Sequence, residues 1–196
     1  LDTPQTVTVT SVDDAGVVDG DQISAITISI DDDNSDNDFD AVADQTVSVT
    51  TTDDDVAGFT VTETDGSTEV DESGTTDTFT LVLTAQPTSD VVLTITSDDT
   101  SEATVTNTLT FTSADWDTPQ TVTVTGVDDD IIDGTITSTI TITVDDTNSD
   151  DDFDAVADQT VSATTTDDDT AGFTITETDG STEVDESGTT DTFTIV

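Results

Sequence analysis

The sequence predicts an all-β chain of tandem antiparallel β-sandwich repeats, and three observations carry that reading. Short runs alternate apolar and hydroxyl side chains with a period of two, as in Thr121-Val122-Thr123-Val124-Thr125, Phe79-Thr80-Leu81-Val82-Leu83 and Ile140-Thr141-Ile142-Thr143-Val144. That alternation turns one row of side chains inward and the other outward on a pleated strand, and β-branched Thr suits the outer face. Helical periodicity is absent throughout. The chain also repeats itself: DTPQTVTVT spans 2–10 and 117–125, DDDVAGF at 53–59 returns as DDDTAGF at 167–173, and ETDGSTEVDESGTTDTFT begins at Glu63 and again at Glu177. The period is about 114 residues, a usual domain size.

Aligned on this period, residues 1–55 are the C-terminal half of one repeat, 56–169 a complete repeat and 170–196 the N-terminal part of a third. In the complete repeat, strands are expected near 58–63, 68–71, 77–84, 90–97, 103–106, 108–112, 120–127, 135–144 and 158–166. Short strands with turn signals every 8–12 residues or so point to a sandwich of Ig-like type. Its core is expected from Phe59, Val61, Phe79, Leu81, Leu83, Val92, Ile95, Leu109, Phe111, Val122, Val124, Ile140 and Ile142. Trp116, in a loop before a strand, is expected to close one end as a lid. Only the DDD run and a few residues separate the copies, so neighbouring repeats are expected to touch. A first residue Leu1 and a strand-like ending at Thr194-Ile195-Val196 suggest an excerpt of a longer polypeptide.

The charge is entirely of one sign. Among 196 residues there is no Lys, Arg, His, Cys or Tyr, while 47 are Asp or Glu, for a formal charge of −47. Compacting that many like charges opposes folding, so the chain either stays disordered or is neutralised by cations from solution. Regular alternation within a hydrophobic fraction of 31% favours the second outcome. Without Lys or Arg there is nothing to hold phosphate, which excludes a nucleic-acid partner. Without Cys there are no disulfides or thiolate metal sites. No apolar run reaches the length of a membrane span. Paired carboxylates alone could act as acid and base, but no basic, thiol or phenol side chain is present to tune them, so the chain is not expected to be an enzyme.

Strand direction determines which acidic loops share an end. If the first strand of the complete repeat runs away from Asp53-Asp54-Asp55, then Asp71-Glu72, Asp98-Asp99, Asp128 to Asp133 and Asp167-Asp168-Asp169 all arrive at the opposite pole. Carboxylates so crowded do not all stay ionised unless a cation sits among them. Calcium fits best, because it takes six to eight hard oxygen ligands in flexible geometry, whereas magnesium keeps more of its waters. Zinc and copper favour His or Cys, which are absent.

The run VDDDIIDG (127–134), the DES-G element at 71–74, SDD at 97–99 and DDD-x-AG at 167–172 resemble a Calx-β domain, and LTFTSADWDTPQTVTVTGVDDD (109–130) is similar to Calx-β-like repeats of bacterial adhesins and giant secreted proteins. The resemblance implies a calcium cluster of Glu72, Asp98 or Asp99, Asp128, Asp129, Asp133, Asp167, Asp168 and Asp169, with Asp133 standing where that family often has Glu. The preceding repeat offers Asp13, Asp14, Asp19, Asp53, Asp54 and Asp55 to an equivalent site. At the other pole, Asp146-x-Asn148-x-Asp150-x-Asp152 sets oxygens at alternate positions and is expected to form a second calcium site near the previous repeat's cluster; a solvated loop is the plainer alternative.

The function expected is that of a calcium-rigidified repeat in an extracellular stalk or filament, with neighbouring repeats or identical subunits as partners. The alternative is an adhesin module for a glycan or protein ligand, or one whose surface ligand is bound by other domains. A location outside the cell, where calcium is near millimolar, suits weak sites of this kind.

Overall fold

The computed structural model describes residues 3–14 and 16–196. Thirteen strands run through them: β1 (Gln22–Ile28), β2 (Gln45–Thr51), β3 (Phe59–Glu63), β4 (Thr68–Asp71), β5 (Thr76–Leu83), β6 (Val91–Ser97), β7 (Ala103–Val105), β8 (Thr108–Phe111), β9 (Gln120–Gly126), β10 (Ile136–Val144), β11 (Gln159–Thr166), β12 (Ile175–Glu177) and β13 (Phe193–Ile195). Strands β3 to β11 build a sandwich of two sheets, ordered β3-β5-β9-β7 and β4-β11-β10-β6-β8. All nine lie within a residue or two of the spans expected from alternation. The β1–β2 pair keeps the register of β10–β11, and β12–β13 that of β3–β5, each shifted by one period.

The topology sends acidic loops to one end. Strand β4 continues in the direction of β3 after a turn at Thr64–Gly66, where Asp65 takes a left-handed φ of 56°, and it then joins the other sheet by pairing in parallel with β11. Strands β7 and β8 make the same kind of switch, the first pairing with β9 and the second with β6. Because the remaining pairs are antiparallel, β4, β6, β9 and β11 all end at one pole, here termed the exit pole. Backbones meet closely there: a Cβ on Gly126, at the end of β9, would stand 2.0 Å from the Asp71 carbonyl oxygen.

The core follows the pleat. Phe79, Leu81, Leu83, Val122, Val124, Ile140 and Ile142 alternate inward and are buried, each contributing about 1.5–3 kcal/mol by leaving water. Val61, Leu109 and Trp116 are partly buried and pack against this cluster, Trp116 from the loop before β9. Val92 is a correction to the expected core. On β6 the inward residues are Val91, Leu93 and Ile95, and Val92 is only half buried because a period of two cannot bring both 92 and 95 to one face. Val70, Ala103, Val144, Phe153, Val161 and Ala163 complete the core. Phe153 sits in a short 3-10 turn (Asp151–Phe153) and is fully buried, whereas its counterpart one period earlier, Phe39, is 55% exposed. The β1–β2 pair carries the same pattern without an opposing sheet among the described residues.

The turn that inserts Phe153 is held by Asp150. Its Oδ2 accepts from the Thr88 N–H (2.7 Å), the Thr88 hydroxyl (2.8 Å) and the Ser89 N–H (2.7 Å), and its Oδ1 accepts from the Asp152 N–H (3.2 Å). These bonds hold the carboxyl below the usual range against the burial that would raise it. Asp150→Ala is expected to destabilise the fold by about 2 kcal/mol, the order of a lost charged hydrogen-bond acceptor, in a denaturant titration with unchanged slope. Asp150→Asn should retain part of that stability.

Candidate metal centre

At the exit pole two glutamates point inward. Glu72 follows β4, is 1% exposed, and donates its N–H to the Thr166 carbonyl (3.1 Å), which fixes it beside the end of β11. Glu102 precedes β7 and is 5% exposed, and its carbonyl accepts from the Val127 N–H (2.9 Å) and the Thr165 hydroxyl (3.3 Å). Each has an Oε2 that is buried with no hydrogen-bond partner, as is Oδ2 of Asp169. Buried oxygens are rarely left in that condition, and no basic side chain exists in this chain to answer them.

Carboxylate oxygens of Glu72, Asp129 and Asp169 lie within 4.8 Å of one another, and so do those of Glu102, Asp129 and Asp133. Asp129 belongs to both trios. The loop carrying Asp129 and Asp133 is shaped by backbone bonds: Asp129 Oδ1 accepts from the Ile131 N–H (2.6 Å), and Asp167 accepts from the N–H groups of Gly134 (2.8 Å) and Asp169 (2.7 Å). Burial, then the charges of Asp167, Asp129 and Asp133, push the Glu72 carboxyl up, despite a bond from the Asp168 backbone. Glu102 is pushed up by burial and by Asp133, Asp99, Asp129 and Asp167. Asp169 is raised by burial and by Asp130, Asp167, Asp168 and Asp129. Mutual proximity of acids therefore resists their ionisation, the condition a divalent cation relieves.

The other expected ligands are placed differently. Asp98 is exposed and its Oδ1 accepts from the Thr139 N–H (2.7 Å), tying the end of β6 to β10. Asp99 accepts from the Ser101 N–H (3.1 Å) and hydroxyl (2.5 Å), bonds that lower its carboxyl and shape the turn presenting Glu102. Asp128 and Asp168 are exposed. In residues 1–55, Asp53 repeats the bonding of Asp167, accepting from the N–H groups of Asp19 (3.0 Å), Gly20 (2.8 Å) and Asp55 (2.8 Å). Asp55 is raised by burial and then by Asp54, Asp53 and Asp14, as Asp169 is by its neighbours. A small depression lined by Asp13, Asp14, Asp19, Asp53 and Asp54 marks this half-copy.

In the second acidic loop, Asn148 Nδ2 donates to Asp145 (2.9 Å), Asp150 is saturated by the bonds described above, and Asp146 stands near Asp154, whose carboxyl is raised by burial first and then by Asp146. Among the described residues, the two trios at the exit pole are the sets of three acids within ligand distance, and the 145–154 loop forms no such set. Asp152 does face the preceding half-copy: burial and Asp150 raise its carboxyl most, and the charges of Asp53 and Asp19 add to this.

Glu102 is the residue that sequence reasoning missed. Glu102 lies between the same two strands as Asp98-Asp99, and it is a lone acid where those are a pair. Its stretch falls in the one part of the period present only once in these 196 residues, so no second copy marks it in the sequence.

No protein-family model matches the chain, and no curated protein matches it in sequence. Among solved structures, it is similar to the apo form of a Calx CBD1 domain at a TM-score of 0.41 and 14% identity, over 57% of this chain and 98% of that one. It is also similar to domains 4 and 5 of the S-layer protein SbsC (TM-score 0.37, 21% identity, 63% of each chain). Against SbsC domains 1–6 the TM-score is 0.38 at 19% identity, over 77% of this chain and 23% of that chain. The chain thus spans less than a quarter of the longer surface-layer structure. At these scores the likeness bears on neither ligand nor activity. Among the described residues no helix is long and apolar enough to cross a membrane.

Proposed function

We propose that the exit pole of residues 56–169 binds two calcium ions, one at Glu72, Asp129 and Asp169 and one at Glu102, Asp129 and Asp133, with Asp129 bridging them. On this reading the chain is a calcium-stiffened structural segment of an extracellular stalk or filament. The observation that carries the proposal is the pair of buried glutamates, each with an unanswered carboxylate oxygen, in a chain with no cationic side chain. An all-oxygen donor set suits a hard cation of flexible coordination. Asp167 takes part by holding the 129–134 loop and the closing run together, and Asp128 and Asp168 stand at the rim, where they can complete a shell together with water. The half-copy at 1–55 supplies the same closing elements to an equivalent site.

Calorimetric titration with calcium tests the reading. Two events are expected for residues 56–169, with Glu72→Gln removing one and Glu102→Gln the other. Retention of both events in both variants would refute it. The structural role has its own readout. If, as proposed, the sites lie where one sandwich hands over to the next, the molecule should become longer and stiffer in solution scattering on adding calcium, and identical profiles with and without the ion would remove the stiffening role.

A further inference from the structure

The exit loop of the first half-copy docks on the sandwich that follows it. Gly16 accepts from the Gln86 N–H (2.7 Å), and the Val18 N–H donates to the Gln86 carbonyl (3.0 Å), so that Val17 and Gln86 form a parallel β-bridge. Val18 is only 7% exposed and adjoins a cleft lined by Val56, Ala57, Asp152 and Val156, at the entry pole opposite the trios. Gln86 is set for this contact, with Ala85 buried beside it and its own Nε2 bonded to the Ser113 carbonyl (2.9 Å). The docking uses two short backbone bonds and one aliphatic side chain, with the carboxylates of Asp55 and Asp152 at the edge of the cleft.

One period later the docking pair is Ile131-Ile132, in a loop one residue shorter, with Asp130 in place of Ala15-Gly16. These two isoleucines are 61% and 55% exposed, although the Ile131 N–H is bonded to Asp129 and the Asp133 that follows them belongs to a trio. Isolated exposed aliphatics need no explanation, but a pair at the position of an observed interface, enlarged from Val to Ile, does. Residues 170–196 carry no counterpart of Ala85-Gln86, since Val196 aligns with Val82.

We infer that Ile131-Ile132 is a docking edge whose occupant is the entry pole of a further sandwich of this same repeat, engaged through the backbone at its Gln86 position. The junction would then propagate one geometry along an array, each unit contacting its neighbour alone. The inference takes its occupant from the array reading above but is independent of calcium at the trios. Within a single chain the Gln86 edge is already taken by Val17-Val18, so the whole chain should not self-associate through this face.

The test supplies a free entry pole. Every residue of the core cluster lies between Ala57 and Ala163, so residues 56–169 contain a complete core and can be prepared alone. Carrying I131D/I132D, this fragment is isotope-labelled and mixed with unlabelled full-length chain in excess calcium. Amide resonances of Ala85, Gln86 and Ala57 are expected to move, and the movement should vanish when the full-length chain carries I131D/I132D. Shifts that persist with that variant, shifts elsewhere on the fragment, or none at all would overturn the inference. A second arm keeps everything in one polypeptide by replacing 170–196 with a second copy of 56–169. Hydrogen exchange around Ile132 should slow at least about tenfold, toward that of Val18. Exchange as fast as in the original chain would overturn it, and so would a change in the oligomeric state of the original chain on introducing I131D/I132D. Calcium titration of the same samples reports separately on the trios.

Discussion

Asp129→Asn is expected to abolish both calcium events and to lower the melting temperature of the calcium-loaded sandwich by about 20 °C, while leaving the calcium-free form as stable as before or more so. The magnitude follows from linkage. A site holding ligand at a hundred times its dissociation constant adds about 2.7 kcal/mol, two such sites add about 5 kcal/mol, and a domain near a hundred residues moves by about 4 °C per kcal/mol. Asp129 alone contributes to both trios, so its loss should cost what Glu72→Gln and Glu102→Gln cost together. The opposite sign in the calcium-free state separates a ligand from a structural acid. Removing one charge from a crowd of acids relieves repulsion, whereas removing a structural acceptor such as Asp150, bonded to Thr88 and Ser89, destabilises both states. Differential scanning calorimetry with and without chelator reads the four values. Equal losses in both states would show that Asp129 acts through its bond to the Ile131 N–H and not through a cation.

Much of this was legible in the sequence, and the parts that were not have physical causes. Alternation located β3 to β11 because one face of each strand is buried and the other wet. It failed at β6, where Val91-Val92-Leu93 offers apolar residues on both faces and gives no parity to read. Phe153 escaped because it lies inside an acidic run, and only the 3-10 turn capped by Asp150 shows that such a run can insert a core side chain. The convergence of acidic loops was readable from strand direction, but the division of labour was not. Asp98, Asp99 and Asp150 have oxygens that accept backbone and hydroxyl donors and so fix the loops, a role that residue type and spacing do not announce. The trio members Glu72 and Glu102 are distinguished by burial, which depends on how two sheets close over a loop. Composition reports the total charge, but not which acids are denied water.

That distinction sets the pH behaviour. Glu72, Glu102 and Asp169 have carboxyls raised above their ordinary values, chiefly by burial and then by neighbouring acids. A raised group favours folding in its protonated form, so its contribution is complete below the ordinary range, about pH 4, and is lost as the pH climbs through the raised value. Asp53, Asp71, Asp99 and Asp150 are lowered by hydrogen bonds to their ionised forms. Their contribution is present above about pH 4 and disappears as the pH falls through the lowered values. The calcium-free chain should therefore be most stable in mild acid, lose stability toward neutrality and also lose it in strong acid. If the trios hold calcium as proposed, the ion should reverse the neutral limb, because a cation that binds the ionised carboxylates holds them ionised. Melting curves between mild acid and neutrality should slope downward in chelator and upward in calcium, and binding near the raised values should release protons, visible as a calorimetric heat that depends on the buffer. In Glu72→Gln with Glu102→Gln the downward slope in chelator should become shallower and the proton release should shrink, with Asp55, Asp152, Asp154 and Asp169 supplying what remains. A slope and a proton release unchanged by the double substitution would assign the pH response to those other acids and leave the buried glutamates without the role given to them.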